Sequence, residues 1–465
     1  MTATIYDDGL PAPQRYWSMV AIALGISMSV LDSSIATIAL PSIARSVHVS
    51  PAEAIWVVNA YQLAIVMTLL PLASLGEQVG YRRVYLAGLI LFTVGSLACA
   101  SSASLAGVIA SRALQGIGAA GVMSVNGALV RYTYPKALLG RGIGINAMTV
   151  SIAAAAGPSI ASAVLALGPW QWLFTINVPL GLLNGALALR ALPASEASGR
   201  PFDWASAVLN AIVFGSLFLG VDAFTHHQLG AWVGASLLFI AFAASAVLIR
   251  QQKYATDPII PIDLLRIRLF SLSALVSVVS FTAYSVAFIA LPFHLESVLH
   301  RTQVEIGILI TPWPIAVALT APLAGWLSDR VPAGLLVGIG LVLLSGGFVL
   351  LALLSPHAST ADVGWRMAMS GVGFGLFQSP NNRVFLASAP RNRSGAAGGM
   401  LASARQVGMT AGAALAAFVF WFAPSRSETT SLFIGAALGL GAAVASTLRI
   451  SPKPTNALAL GTGGS

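Results

Sequence analysis

Long apolar runs separated by short polar stretches dominate the chain. Each run is about twenty residues long, the length at which an α-helix crosses a bilayer. The first eight fall at roughly 16–39, 53–75, 83–102, 105–129, 139–166, 171–192, 204–223 and 230–250. Six more fall at roughly 269–298, 304–328, 333–354, 363–388, 395–422 and 429–450. None has the short alternation of apolar and polar positions that marks a barrel strand. The pattern therefore predicts an all-α polytopic membrane protein with 14 transmembrane helices. Two polar stretches, 193–203 and 251–268, bracket the seventh and eighth runs. They predict two six-helix bundles, 1–200 and 254–465, flanking two extra central helices in 201–253.

Composition narrows the function classes. Of 465 residues, 57% are hydrophobic and 8% charged, against about a quarter charged in ordinary soluble domains. Too little polar surface is available for a soluble enzyme, and the hydrophobicity excludes a disordered chain. The net charge of +9 would raise nucleic-acid binding in a soluble protein, but here placement matters more. Of the 24 Lys and Arg residues, 18 fall on the side of the N-terminus. Four (Arg45, Arg301, Arg366 and Arg426) fall on the other side, and two (Arg112 and Arg405) lie inside spans. Because basic residues collect in cytoplasmic loops, both termini are expected in the cytoplasm of a bacterial-type inner (plasma) membrane. That distribution accounts for the basic balance without a nucleic-acid partner. Cys99 is the only cysteine, so no intrachain disulfide is expected. The acidic N-terminus, with Asp7 and Asp8, lacks the basic region of a cleaved signal peptide.

Asp32 stands well inside the first span, whereas most acidic residues lie in loops or at span ends. A carboxylate at membrane depth marks an ion path by default, so Asp32 is a candidate proton carrier and, when ionised, a candidate anchor for a cationic solute. The alternative is a structural acid hydrogen-bonded near a helix end. The turns at Leu75–Arg83 and Gly325–Arg330 repeat one pattern at matching places in the two six-helix sets. Parallel repeats about the membrane normal are a transporter architecture.

Taken in order, several blocks resemble one family. Leu31-Asp32-Ser33-Ser34-Ile35-Ala36-Thr37-Ile38-Ala39-Leu40-Pro41 resembles a first-helix signature, and the 75–83 turn a loop motif between helices two and three. Arg112-Ala113-Leu114-Gln115-Gly116-Ile117-Gly118 resembles a helix-four motif, Gly157-Pro158 an antiporter motif, and the block Trp170–Gly181 the family's next element. Together they resemble the major facilitator superfamily, and within it the fourteen-span drug:proton antiporters, over almost the whole chain. The sequence departs from that pattern in places. Glu77 and Tyr81 replace an Asp and a basic residue, and Ala161 and Ser162 replace two glycines. The second turn stops after Asp329-Arg330-Val331-Pro332. Span ten has no acid in its interior, unlike relatives that export divalent cations.

The resemblance implies the major facilitator fold and a proton-coupled antiporter that exports hydrophobic or cationic small molecules by alternating access. It implies that Arg112 couples protonation to movement; the plainer reading pairs Arg112 with the Glu77 turn. Glu77, Arg82, Arg83, Asp329 and Arg330 form a candidate cytoplasmic gate, or simply basic loops retained in the cytosol. Gly157 and Pro158 would bend span five at a close helix contact. Arg405 reads as a structural partner of helix ends or as a functional cation. A drug cavity is mostly apolar and aromatic with few polar groups. Its candidate lining is Trp56, Asn59, Tyr61 and Gln62 in span two, Phe281, Tyr284 and Phe288 in span nine, Trp313 in span ten, and Phe377, Gln378, Asn381 and Asn382 in span twelve.

Gly116–Gly121 matches G-x-G-x-x-G, but it lies mid-span without a preceding strand, so no dinucleotide site is expected. Gly371–Gly375 reads likewise as a packing face. His226 and His227 lack metal-ligand neighbours. The proton is the coupling ion and no other cofactor is expected. The partners are then drug-like solutes, protons and the bilayer, with the monomer as the working unit. An exporter of an endogenous metabolite or lipid is the alternative. A membrane enzyme would need convergent polar groups and a channel a polar or charged pore; neither is present in the sequence pattern.

Overall fold

The computed structural model describes residues 9–135, 138–195, 201–223, 230–254, 262–328, 330–389 and 394–449. Among them the protein is all-α, with no strand. The first half of the chain forms α1 (Gln14–Ser46), α2 (Pro51–Ala54), α3 (Trp56–Val79), α4 (Tyr81–Ser101), α5 (Leu105–Thr133), α6 (Leu139–Leu167), α7 (Trp172–Thr175) and α8 (Asn177–Ala191). Then come α9 (Trp204–Ala223), α10 (Gly230–Tyr254) and the short α11 (Ile262–Leu265). The second half forms α12 (Arg268–Ser297), α13 (Gln303–Ile310), α14 (Pro312–Leu327), α15 (Ala333–Ala352), α16 (Thr360–Ala387), α17 (Ser394–Phe422) and α18 (Ser427–Thr447).

Ile55, Ile176 and Thr311 interrupt the assignment but keep helical dihedrals. The pairs α2–α3, α7–α8 and α13–α14 therefore each run on as one rod. Ten stretches among the described residues are long and apolar enough to cross a membrane. Ala156–Leu167 and Trp204–Gly220 are apolar but shorter. Such helices suit the bilayer because every backbone polar group is satisfied within its own segment.

The outer turns of the two halves repeat in atomic detail. His48 (φ 54°) and His300 (φ 51°) both adopt the left-handed conformation, uncommon outside glycine though His is among the more tolerant types. Each lies just beyond the preceding long helix, α1 or α12. Two residues later Ser50 and Thr302 each cap the next helix, with Glu53 and Glu305 closing the reciprocal capping box. A capping box satisfies two otherwise orphaned backbone donors. The same sequence of left-handed residue, cap and acid thus starts the second rod of both halves.

In the first half α5 packs on α3 and α4, and α6 lies along α1. In the second, α16 packs on α14 and α15, while α12 lies along α17 and α18. The pair α9–α10 attaches through α9, which packs on α3 and touches α17. Asn210 of α9 donates to the Met67 carbonyl (2.7 Å), and Phe218 meets Trp56 edge-on at 5.3 Å.

Glycines set the closest approaches. A Cβ on Gly118 would lie 2.2 Å from the Phe92 nitrogen, and one on Gly373 would lie 2.3 Å from the Leu344 nitrogen. The two glycine-rich runs of the sequence are therefore equivalent packing faces, α5 on α4 and α16 on α15, in keeping with small residues at membrane helix interfaces. Gly118→Val should drive α4 and α5 apart and abolish the folded, monodisperse protein. Gly127→Ala on the same helix, where a Cβ meets nothing within 4 Å, should leave it intact. Detergent size-exclusion of the two variants checks this, and a monodisperse Gly118→Val would contradict it.

Packing differs between the two ends of the molecule. Around the 45–58 and 286–310 segments the two halves share one hydrophobic core, which includes Ile38, Leu40, Ile55, Val286, Leu291 and Ile306. Arg45 and Glu296 form an ion pair across the halves at this end. Ser159 and Thr311 are hydrogen-bonded at 2.8 Å, and Gly307 faces the Pro158 carbonyl and Ser162. Towards the other end the core divides. Met19, Leu69, Val84 and Leu129 belong to a cluster of the first half, and Phe270, Phe385 and Ala404 to a cluster of the second.

Candidate functional site

Two features adjoin: a buried charge network inside the first half and a cavity beside it, between the halves. Asp32, near the middle of α1, is 2% exposed and Arg112 of α5 is fully buried. Arg112 Nη1 is ion-paired to Asp32 Oδ2. Asp32 Oδ1 accepts from Gln115 Nε2 at 2.7 Å and from Asn177 Nδ2 at 2.9 Å. Arg112 Nη1 also donates to Gln115 Oε1 (2.7 Å), and its Nε donates to the Val57 carbonyl (3.0 Å). Gln115 further donates to Ser96 Oγ at 2.7 Å. Residues of α1, α3, α4, α5 and α8 are thereby tied to one carboxylate.

Such a pair stands only because the extra hydrogen bonds offset a desolvation penalty of several kcal/mol per ion. A proton on Asp32 would remove the negative charge and leave Arg112 without its counter-ion. The Arg112 guanidinium lies 4.1 Å from the centre of the Tyr61 ring, a cation–π distance, and the Tyr61 hydroxyl donates to the Ser29 carbonyl (3.0 Å).

Tyr61 is also a wall of the cavity, which has a volume of about 140 Å³. Ser29, Ser33, Ser34 and Thr37 of α1 line one side, with Tyr61 and Gln62 of α3. Opposite stand rings of the second half. Tyr284 stacks on Trp313 at 5.0 Å with 14° between planes. Phe288 and Phe374 lie 5.5 and 5.1 Å from Trp313, and Phe281 lies 5.5 Å from Phe374. Gln378, Arg405, Gln406 and Met409 complete this side. Gln406 Nε2 donates to Gln62 Oε1 across the halves at 2.8 Å. One wall is thus hydroxylic and the other aromatic. Arg405 is the one charged residue among the lining side chains.

Of the twelve lining residues expected from sequence, Tyr61, Gln62, Phe281, Tyr284, Phe288, Trp313 and Gln378 meet in this cavity. The other five stand outside its lining. Trp56 is engaged by Phe218. Asn59 is fully buried with its amide unpaired among the described residues. Phe377 backs Phe281 and Phe374. Asn381 donates to Ser277 Oγ and accepts from Arg449, both at 2.8 Å, and Asn382 is half-buried on α16. Asp32 itself lies outside the lining and is saturated by three partners, so it offers no free carboxylate to a cationic solute in this arrangement. Arg112 pairs with Asp32, not with the Glu77 turn.

Gly157 packs against the Ser34 Cβ, and Pro158 lies inside α6 next to Gly307. At the other end Glu77 is exposed near the end of α3. Arg82 donates to the Leu189 carbonyl and Arg83 to that of Val79 (3.2 Å), both within the first half. Arg330 lies over the Trp326 ring at 4.1 Å. Asp329, His226 and His227 lie outside the described residues. Gln115 and Asn177 were inside motifs already singled out in the sequence, but their polar atoms gave no sign of a target. Arg405 was visible as the second in-span arginine, without the aromatic wall that gives it a setting.

A family model described as Major Facilitator Superfamily matches residues 22–413 and 273–464. The chain is 48% identical over 452 residues to the uncharacterized transporter YebQ of Escherichia coli strain K12, covering 97% of this chain and 99% of that protein. It is 30% identical over 414 residues to the riboflavin transporter RibZ of Clostridioides difficile strain 630, covering 89% of both. It is 31% identical over 404 residues to the multidrug resistance protein Stp of Mycobacterium tuberculosis strain H37Rv, covering 86% of this chain and 74% of that one. With its apolar helices and buried intramembrane charge pair, the chain belongs to the Major Facilitator Superfamily and is a multi-pass membrane transporter, not an enzyme.

Proposed function

We propose that the protein is a proton-coupled antiporter that exports hydrophobic aromatic small molecules by alternating access. The observation that carries this reading is the Asp32–Arg112 pair, which is separated from an aromatic cavity between the halves by the single ring of Tyr61. A proton arriving at Asp32 weakens the pair, frees Arg112 and shifts Tyr61. A solute in the cavity presses on the same ring from the other side. Proton and solute then bias one bistable element in opposite directions, as coupling requires.

In this reading the chain crosses a bacterial-type inner membrane fourteen times as a monomer, with both termini cytoplasmic. The six-helix bundles are 1–200 and 254–465, and α9–α10 are an addition to the first. The end with the shared core then faces outward, and the arrangement is the one closed to the outside. Glu77, Arg82, Arg83, Asp329 and Arg330 close the cytoplasmic end in the opposite state, and the proton is the only coupling ion. The multidrug resistance relative supports a foreign cargo. The riboflavin-transporting relative supports a second reading, a planar endogenous metabolite, to which the stacked Tyr284–Trp313 wall is equally suited.

Proteoliposomes of the full chain with a pH dye inside test the proposal. Addition of a fluorescent arene should drive protons the opposite way, and an imposed pH gradient should concentrate the arene. Arene movement without any proton movement would overturn it.

A further inference from the structure

We infer that the cavity is an anion site, built for aromatic solutes that carry a carboxylate or a comparable negative group. This inference rests on the transport reading above and names the substrate class of the same cavity. Arg405 sits on α17 among the lining residues and makes no hydrogen bond or ion pair among the described residues; its Nε is buried without a partner. The Trp313 indole N–H, on the same aromatic side of the cavity, is also buried without a partner among the described residues. No Asp or Glu is found among the lining side chains. Arg112, the other intramembrane arginine, has its own carboxylate; Arg405 has none.

A lone guanidinium in a low-dielectric site is costly unless an anion meets it, and a planar guanidinium is suited to bidentate carboxylate binding. The arrangement of the donors matters as much as their number. Tyr284 and Arg405 line the same side of the cavity, and Tyr284 is stacked on Trp313. A ring bound against the Tyr284–Trp313 wall would therefore hold its charged substituent near Arg405. The volume of about 140 Å³ is close to that of a cavity known to hold one benzene ring, so the site as it stands fits an aryl group with one small polar head. The Thr37 hydroxyl donates to the Ser33 carbonyl (3.0 Å), and the Ser33 hydroxyl accepts from Gln62 Nε2 (3.2 Å). They add polarity to the far wall without adding charge.

The test compares three probes on one benzene ring, each with a small head: benzoate, benzamide and benzylammonium. Binding to the purified full chain in detergent is read by calorimetry, with no gradient present. Benzoate should bind at least about tenfold tighter than the amide, as a charge-assisted pair implies, and the ammonium weakest. Arg405→Gln should weaken benzoate far more than the amide and so close the gap between them, and Arg405→Lys should keep part of the preference. Amide binding reports that the variant is folded, and the wild-type ranking is decisive even if the variant is not. Equal affinities for the three probes, tighter ammonium binding, or an unchanged ranking in Arg405→Gln would overturn the inference. Because no proton gradient enters the assay, its outcome is separate from whether transport is proton-coupled.

Discussion

Asp32→Asn should abolish the proposed proton-coupled transport and also destabilise the protein. The amide keeps the shape and can still accept from Gln115 and Asn177, but it neither carries a proton nor balances Arg112. Removing one partner of a buried pair leaves an uncompensated charge, at a cost of about 3–5 kcal/mol. Arg112 has its Nη2 already unpaired, which leaves it little else to bond. The expected readouts are loss of arene-driven proton flux in proteoliposomes and a lower thermal midpoint in detergent. Combining Asp32→Asn with Arg112→Gln removes both charges and should recover much of the stability, since coupled sites are non-additive, while transport stays lost. Proton flux retained in Asp32→Asn would move the proton site elsewhere. Glu77, Asp222 and Glu296 would be tested next. Of these, Glu296 is held by Arg45, Glu77 is exposed, and Asp222 lies near the end of α9.

The second large effect concerns the membrane potential. A monoanion leaving in exchange for one incoming proton moves two charges. Each is worth about 2.3 kcal/mol per 100 mV, so an inside-negative potential of that size adds about 4.6 kcal/mol to export. One pH unit adds about 1.4 kcal/mol. In proteoliposomes with the potential clamped by valinomycin, imposing 100 mV should therefore raise the limiting benzoate gradient by about three orders of magnitude. The neutral amide should gain less than about two orders, and a monocation should gain nothing, because its exchange for a proton moves no net charge. If benzoate and the amide respond alike, the proton-to-solute ratio differs between them or the anion travels protonated.

Most of the architecture was legible in the chain because a bilayer leaves few choices. Apolar runs of spanning length had to become helices, and helix covers each of them. Turn chemistry was legible too: Ser50-Pro51-Ala52-Glu53 and Thr302-Gln303-Val304-Glu305 are capping boxes in plain sight, although their role as a repeat emerges only with His48 and His300 before them. The pairings were not legible. Asp32 and Arg112 stand in different motifs, and nothing local to either points to the other. The plainer reading of the sequence paired Arg112 with the Glu77 turn, whereas in the fold its partner is Asp32. Helical periodicity could not separate Trp56, which faces α9, from Tyr61 and Gln62 on the same rod, because both faces of α3 are covered by protein. Gln378 and Asn381 are one turn apart on α16, yet one lines the cavity and the other is held by Ser277 and Arg449. Only the positions of neighbouring helices decide such cases.

The attachment of α9 has a consequence for how a lipophilic solute gains access. Helices α3 and α17 meet across the two halves at Gln62 and Gln406, and a gap between them would open the cavity sideways to the lipid. Helix α9 packs on α3 and touches α17, so it screens this seam from the acyl chains. It is fixed to α3 by Asn210 and Phe218, and it would travel with the first half through the cycle instead of parting with the seam. A solute dissolved in the bilayer is then left with the opposite flank, between α6 and α14, or with the aqueous mouth. The two lateral faces of the transporter are in this sense unequal, and partitioning into the membrane favours uptake from one of them alone.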